Sequence, residues 1–305
     1  MPTSILYSCY DFRLRSEVPL SELALTGEDP RVPEVGVRYG RVPERLAGSL
    51  SDGALQTAGG EALLTVDRVG RFLVRGGEEI VVDPAPLATE RSVRLFLLGS
   101  ALGIVCHQRG LLPLHANAVA VGGFAAAFCG PSGIGKSTLA AYFARAGYAV
   151  LCDDVCAISF DESGRPFAWP GLPRLKLWGE AVAVFGHDPR SLERAVDGLD
   201  KYHVPLPPAG DRRPVPLRSL YLLARAEPGE PDHFRRVRGH RALGAVMEQT
   251  YRNAYLAPMG LAEQNFRHCA ALAASVEIFE ARRTWGYDVF EREARRLEEH
   301  MLASE

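Results

Sequence analysis

Eight consecutive residues, Gly130-Pro131-Ser132-Gly133-Ile134-Gly135-Lys136-Ser137, meet the pattern G-x-x-x-x-G-K-[ST] in full. Glycines let a backbone curl until its N–H groups converge on phosphate oxygens, and the positive end of a following helix adds to the attraction. A lysine at this place reaches the β- and γ-phosphates, and the serine hydroxyl can ligate Mg²⁺. Thr138 continues the segment into the helix. Asp153-Asp154 begins 17 residues after Lys136. One Asp at a strand end is enough to hold the Mg²⁺ of a bound nucleotide. A second carboxylate beside it points to another task, such as taking the proton of an attacking hydroxyl. The competing reading of either Asp alone is a turn cap. These residues predict a protein that handles the phosphates of a nucleotide with Mg²⁺ and transfers one.

Other residues join the loop as candidates. His115 stands ahead of it, and a lone histidine is more often structural than catalytic. Of 35 basic residues only Lys136, Lys176 and Lys201 are lysines. Lysine is a compact point charge and arginine a planar fork, so the two do not interchange at a phosphate. Lys176 or Lys201 could grip the γ-phosphate or a peptide carboxylate, with Arg174 a further candidate contact. Trp178 reads as a packing residue of a helix. The arginine runs 212–213, 235–238 and 282–283 read as solvated surface. His187, His203, His233, His240, His268 and His300 lack the spacing of metal ligands.

The elements that must position these groups follow from pattern. Residues 1–90 are β-rich, with short apolar stretches between Gly-Gly and Asp-Gly turns. Apolar spacing predicts a helix over 90–109. Strands over 113–121 and 124–129 flank the Gly122-Gly123 turn, a hairpin signal, and the second runs into the loop. A helix over 136–146 ends at Gly147. A buried strand over 148–152 ends in the Asp pair, and a hairpin over 155–160 and 166–169 follows. The Pro- and Gly-rich stretch 171–215, with a helix over 176–185, is the expected mobile substrate loop. A strand over 220–223, helices over 240–251 and 260–273, a strand over 276–280 and a helix over 287–302 complete the chain. The division expected is a β-rich unit over 1–90 and an α/β unit over 91–305.

Composition excludes several functions. A net charge of −2 over 305 residues offers no basic field for nucleic acid. No apolar run reaches the length of a membrane span. Met1-Pro2-Thr3-Ser4 is unlike the start of a signal peptide, so a cytoplasmic place is expected. Six cysteines show no paired spacing and read as free thiols.

His115, the loop and Asp153-Asp154 together resemble the catalytic domain of HPr kinase/phosphorylase. In that family a histidine stands 15 residues before the first loop glycine and an Asp pair begins 17 after the loop lysine, as here. The resemblance implies an α/β fold with an HPr kinase-like P-loop catalytic domain, related to that of phosphoenolpyruvate carboxykinase. It implies that Asp153 is the general base, that Asp154 and Ser137 hold Mg²⁺, and that His115 stabilises charge near the γ-phosphate. It also implies ATP as donor and a homo-oligomer. Two departures shift the expected acceptor. Thr138 stands where the family usually has Glu. Pro173-Arg174-Leu175-Lys176-Leu177-Trp178 replaces the Gly-rich phosphorolysis segment. With the opening 10–20, these features resemble the HPr kinase-like proteins of lasso peptide biosynthesis. That group phosphorylates the C-terminal serine of a precursor peptide. The alternatives are a true HPr kinase/phosphorylase and a non-catalytic nucleotide-binding module.

Overall fold

The computed structural model describes residues 4–52, 54–196, 198–207, 213–227, 233–284 and 286–303. Its first part is built of strands, with long connections only after the second and third: β1 (Ile5–Cys9), β2 (Phe12–Ser16), β3 (Glu34–Tyr39), β4 (Leu50–Asp52), β5 (Leu55–Ala58), β6 (Glu61–Val66), β7 (Gly70–Arg75) and β8 (Glu79–Pro84). They form one sheet in the order β1-β2-β3-β8-β7-β6-β5-β4. The core beneath it includes Phe12, Leu14, Phe72 and Val82. The same core takes in Val93, Leu97 and Leu98 from the following helix, and Val155, Leu172 and Tyr251 from much later in the chain.

The helix expected over 90–109 is present in three pieces: α1 (Glu90–Phe96), a π turn (Leu97–Ala101) and α2 (Leu102–Gln108). The reason lies across the chain. A Cβ on Gly103 would stand 2.9 Å from the Tyr251 ring, and one on Gly99 would stand 3.3 Å from its hydroxyl. The two glycines let Tyr251 press against the helix, and the wider π turn accommodates that approach.

The remaining elements are β9 (Leu112–Leu114), β10 (Ala116–Val121), β11 (Phe124–Cys129), α3 (Lys136–Arg145), β12 (Ala149–Cys152), β13 (Cys156–Phe160), β14 (Pro166–Ala168), β15 (Arg174–Trp178), α4 (Gly179–Val184), β16 (Lys201–Pro205), β17 (Val215–Arg225), β18 (His233–Val237), α5 (Gly239–Glu248), α6 (Ala262–Ser275), β19 (Glu277–Arg283) and α7 (Tyr287–Ala303). The second sheet runs β12-β10-β11-β17-β14-β13-β9, with β19 also on β17 and β18 on β19. β11 and β19 both run parallel to β17. Helices cover both faces. Ala242, Val246, Cys269 and Leu272 of α5 and α6 pack on one side. Leu139 and Phe143 of α3 pack with Ala294, Leu297 and Met301 of α7 on the other. Ala294, Leu297 and Met301 recur at helical spacing, so one stripe of α7 is buried. The mixed α/β class expected from the sequence is what the chain adopts. No helix of the described residues is long and apolar enough to cross a membrane.

Two expected elements are different. The strand expected over 113–121 breaks at His115. β9 goes to β13 and β10 to β11 and β12, so His115 sits in the bend between two neighbours' territories. The helix expected from Lys176 starts only at Gly179. Arg174–Trp178 is a strand paired with Lys201–Pro205. Leu175 and Leu177 alternate with Lys176, and that period of two lays both leucines on α3 against Ala140 and Ala141. Each buried leucine stabilises the contact by about 1.5–3 kcal/mol. Much of the stretch expected to be a mobile loop is therefore an anchored hairpin, while residues 208–212 lie outside the described residues. Trp178 is half-exposed at the end of β15 rather than packed on a helix, with the Lys201 ammonium 5.6 Å from its ring centre.

An ion-pair cluster ties this hairpin to the first sheet. Glu22 accepts from Arg94 at 2.8 Å and lies 3.2 Å from Arg174, and all three side chains are at most 12% exposed. Removing the shared carboxylate takes the close carboxylate from Arg174 in a poorly hydrated place, while Arg94 keeps Glu193 at 3.2 Å. Glu22→Ala is expected to lower the unfolding free energy by about 3–5 kcal/mol in urea titrations, and a loss under 1 kcal/mol would contradict the cluster's structural role.

Candidate active site

β11 ends at Cys129, and the chain then turns through Gly130–Gly135 into α3. Gly130, Gly133 and Gly135 hold φ of 142°, 81° and 85°, values that favour glycine. At Gly130 a side chain would also collide, because a Cβ there would stand 2.9 Å from the Leu223 carbonyl oxygen. The strand–loop–helix context expected for a phosphate loop is therefore present, and its curl can cradle an anion. Lys136 is buried and its Nζ donates to the carbonyls of Gly130 at 2.6 Å and Pro131 at 3.2 Å. Burial pushes the Lys136 ammonium below its ordinary pKa, while Cys129 and the Asp pair act the other way.

The Asp pair follows β12 directly. In an extended strand adjacent side chains point to opposite faces. Asp154 breaks that alternation with φ of 76°, a left-handed conformation that Asp tolerates better than most residues. Both carboxylates consequently meet Lys176. The Lys176 N–H donates to Asp153 Oδ2 at 2.8 Å, and Lys176 Nζ donates to Asp154 Oδ2 at 2.6 Å. Asp153 Oδ1 also accepts from the Ser137 hydroxyl at 2.9 Å. The hairpin β15–β16 thus closes on the Asp pair, and Asp153 links that pair to the loop.

The two carboxylates differ in electrostatic state. Burial, and then the neighbouring charge of Asp154, push the Asp153 carboxyl above its ordinary pKa. Burial pushes Asp154 up as well, but the Lys176 ammonium overrides it and holds Asp154 well below the usual carboxylate range. His115 Nδ1 lies 3.6 Å from Asp154 Oδ1. Burial and the positive charge of Lys136 lower the His115 pKa, so the ring is a neutral imidazole at neutral pH. Asp153 has the electronics of a proton acceptor, and Asp154 those of a fixed anion.

Ser137, Asp153 and Asp154 supply hard oxygen donors of the kind Mg²⁺ takes, and they fit that ion. Among the described residues no group of three His, Cys, Asp or Glu forms a closed cage. Mg²⁺ with a nucleotide needs none, since one or two carboxylates and substrate phosphates complete its shell.

The structure brings His115, Lys136, Ser137, Asp153, Asp154 and Lys176 together. Lys201 lies on the neighbouring strand, near enough for its charge to act on His115, Lys136 and Asp154. Arg174 is committed to Glu22 and to His203 Nε2, 3.1 Å away. Sequence reasoning missed three residues. Gln249, at the end of α5, accepts from the Gly130 N–H through Oε1 at 3.1 Å and from the His115 N–H through its carbonyl at 2.7 Å. It clips the histidine and the first loop glycine to one helix end, and nothing local in the sequence marks it. Asn117 donates to the Lys136 carbonyl at the start of α3. An amide inside the apolar run Ala116–Val121 was a readable signal for it. Arg283, expected on the surface, is buried and donates to the Ile134 carbonyl at 3.2 Å. Arg212 of another arginine run lies outside the described residues.

No protein-family model and no curated protein matches the chain. Among solved structures it is similar to the Hpr(Ser) kinase/phosphatase from Coxiella burnetii, with 11% identity over 63% of this chain and 97% of that chain and a TM-score of 0.33. A likeness of that degree decides neither fold nor activity, which rest on the geometry above.

Gly130→Ala places a methyl group against the Leu223 carbonyl at a φ that alanine avoids. It is expected to cost about 1–3 kcal/mol of stability and to weaken ATP binding in calorimetric titrations. An unchanged melting temperature with full ATP affinity would contradict the cradle.

Proposed function

We propose that the chain is an ATP-dependent kinase that transfers the γ-phosphate to a serine hydroxyl of a peptide. The C-terminal serine of a lasso peptide precursor is the acceptor favoured by the resemblance of His115, the loop and the Asp pair, together with the departures at Thr138 and at 173–178. The observation that carries the kinase reading is the pair of adjacent carboxylates beside the loop, Asp153 hydrogen-bonded to the loop serine and Asp154 to the Lys176 ammonium.

In this reading the triphosphate lies over the backbone N–H groups of Gly130–Thr138, with Lys136 at the β- and γ-phosphates. Mg²⁺ would be held by Ser137 and Asp154 and would neutralise phosphate charge. The Ser137 hydroxyl donates its hydrogen bond to Asp153 and keeps its proton, so its lone pairs stay open to a cation. Asp153 takes the proton of the acceptor hydroxyl as its oxygen attacks the γ-phosphorus in line with the leaving ADP oxygen. Its raised pKa suits it to hold that proton. His115, being neutral, donates a hydrogen bond to the transferred group rather than a full charge. Lys176 and Lys201 supply the positive charge for the spreading negative charge of the transition state. Gln249 and Asn117 hold the histidine and the first turn of α3 in place.

Asp153→Asn removes the proton acceptor and keeps the side chain's size, while its amide oxygen can accept only one of the two hydrogen bonds that Asp153 takes from the Ser137 hydroxyl and the Lys176 N–H. Calorimetry is expected to find Mg·ATP binding close to wild type, while phosphate transfer followed by mass spectrometry falls by about 10²–10⁴-fold. Full turnover by this variant would overturn the base assignment. Because Asp153 must be ionised to act, the wild-type rate is expected to fall as pH drops through a pKa above that of an ordinary aspartate. An acid limb at or below the ordinary aspartate range would contradict that. The acceptor is read by incubating the protein and Mg·ATP with precursor peptides ending in serine, and separately with HPr. Phosphate on HPr that inorganic phosphate then removes would make the protein an HPr kinase/phosphorylase. ATP binding with transfer to neither would leave a nucleotide-binding module.

A further inference from the structure

We infer that the cleft between the first turn of α3 and the start of α7 is the nucleoside subsite, taking the base and ribose of the nucleotide whose phosphates lie on the loop. The inference rests on the nucleotide reading of the loop and extends it to the other end of the ligand. A triphosphate on this loop has two ends. The transferring end belongs beside Lys136, Asp153, Asp154 and His115. The other end must leave past Gly135 and Thr138, where α3 begins.

That exit is a cleft lined by Gly135 and Thr138 on one side and by Arg283, Thr284, Tyr287, Phe290 and Glu293 on the other. Its cavity volume is about 60 Å³, so the greater part of a nucleoside would lie at the cleft's open mouth. Its chemistry is that of a nucleoside pocket: two aromatic rings, three hydroxyls, a guanidinium and a carboxylate. The clefts elsewhere differ. The one beside Asp153 and Asp154 carries their charges together with Arg174 and Lys176, and the one at the β18 edge is walled by Arg235, Arg236, Arg238 and Arg241 without an aromatic ring.

The two rings are held differently. Phe290 packs edge-on against Tyr142 and Phe185, each at 6.2 Å between ring centres, so it is a fixed wall. Tyr287 opens α7 and is 38% exposed, a large ring left at the mouth of the cleft. Arg283 is buried and bonds the Ile134 carbonyl, which fastens the cleft's far wall to the loop itself. A base entering here would lie against Tyr287 and Phe290 while its phosphates run past Thr138 to Lys136.

The test compares two ligands on the full chain, Mg·ATP and Mg·tripolyphosphate, by calorimetry. Wild type is expected to bind Mg·ATP more tightly than Mg·tripolyphosphate. Tyr287→Ala, which touches an exposed ring, is expected to weaken Mg·ATP roughly 5- to 150-fold, the range for losing one stacked base, and to leave Mg·tripolyphosphate unchanged. Tyr287→Phe is expected to stay near wild type for both. Equal wild-type affinity for the two ligands, or Mg·ATP binding untouched by Tyr287→Ala, overturns the subsite while the loop reading stands. Wild type that binds neither ligand overturns the loop reading and the subsite with it.

Discussion

Lys176 makes two contacts on which the site depends. Its backbone N–H holds Asp153 and its ammonium holds Asp154. A single residue thus orients one carboxylate and fixes the charge of the other. It can do so only because β15 is a strand, which leaves its edge N–H free for Asp153 while Leu175 and Leu177 seat the hairpin on α3. The left-handed turn at Asp154 completes the arrangement by bringing both carboxylates to one side. Neighbouring acids would otherwise share one environment. Here one is pushed toward holding a proton and the other is locked as an anion, the separation of roles that acid–base chemistry needs.

The hairpin is itself held from behind. Arg174, two residues before Lys176, is buried against Glu22, and Glu22 also takes Arg94 of α1. The first sheet therefore braces the segment that carries Lys176. Its core runs on into Val155 and Leu172, on either side of the link from the Asp pair to β15. The π turn before α2 and the ring of Tyr251 belong to the same construction, since Tyr251 stacks beside His115 with ring centres 6.2 Å apart. Gln249, two residues earlier, ties His115 and Gly130 to α5. The catalytic candidates are fixed less by their own strands than by side chains arriving from other elements.

That division explains what could be read in advance. The loop, its strand and its helix were legible because each is local: glycines for the turn, an apolar strand before, a helix capped by Gly147 after. The Gly122-Gly123 hairpin was legible for the same reason, both glycines having positive φ. Lys176 was noticed through the scarcity of lysine but placed on a helix. Three alternating residues are too few to separate a period of two from one of 3.6 when a helix follows at once. The break at His115 was hidden because β9 and β10 are both apolar and only their different partners divide them. The π turn and Gln249 depend on contacts across the chain, which no local pattern carries. Arg283 was misplaced because a basic pair near a strand end reads as surface.

The central claim is that Asp153 and Asp154 occupy opposite electrostatic states. Carbon-13 NMR titration of the two side-chain carboxyls tests it directly, with Asp153→Asn and Asp154→Asn used to assign the signals. Asp153 is expected to titrate above the ordinary aspartate range and Asp154 below it, and Lys176→Ala to raise Asp154. Two carboxyls titrating together near the ordinary value, or Asp154 unmoved when Lys176 is removed, would contradict the account.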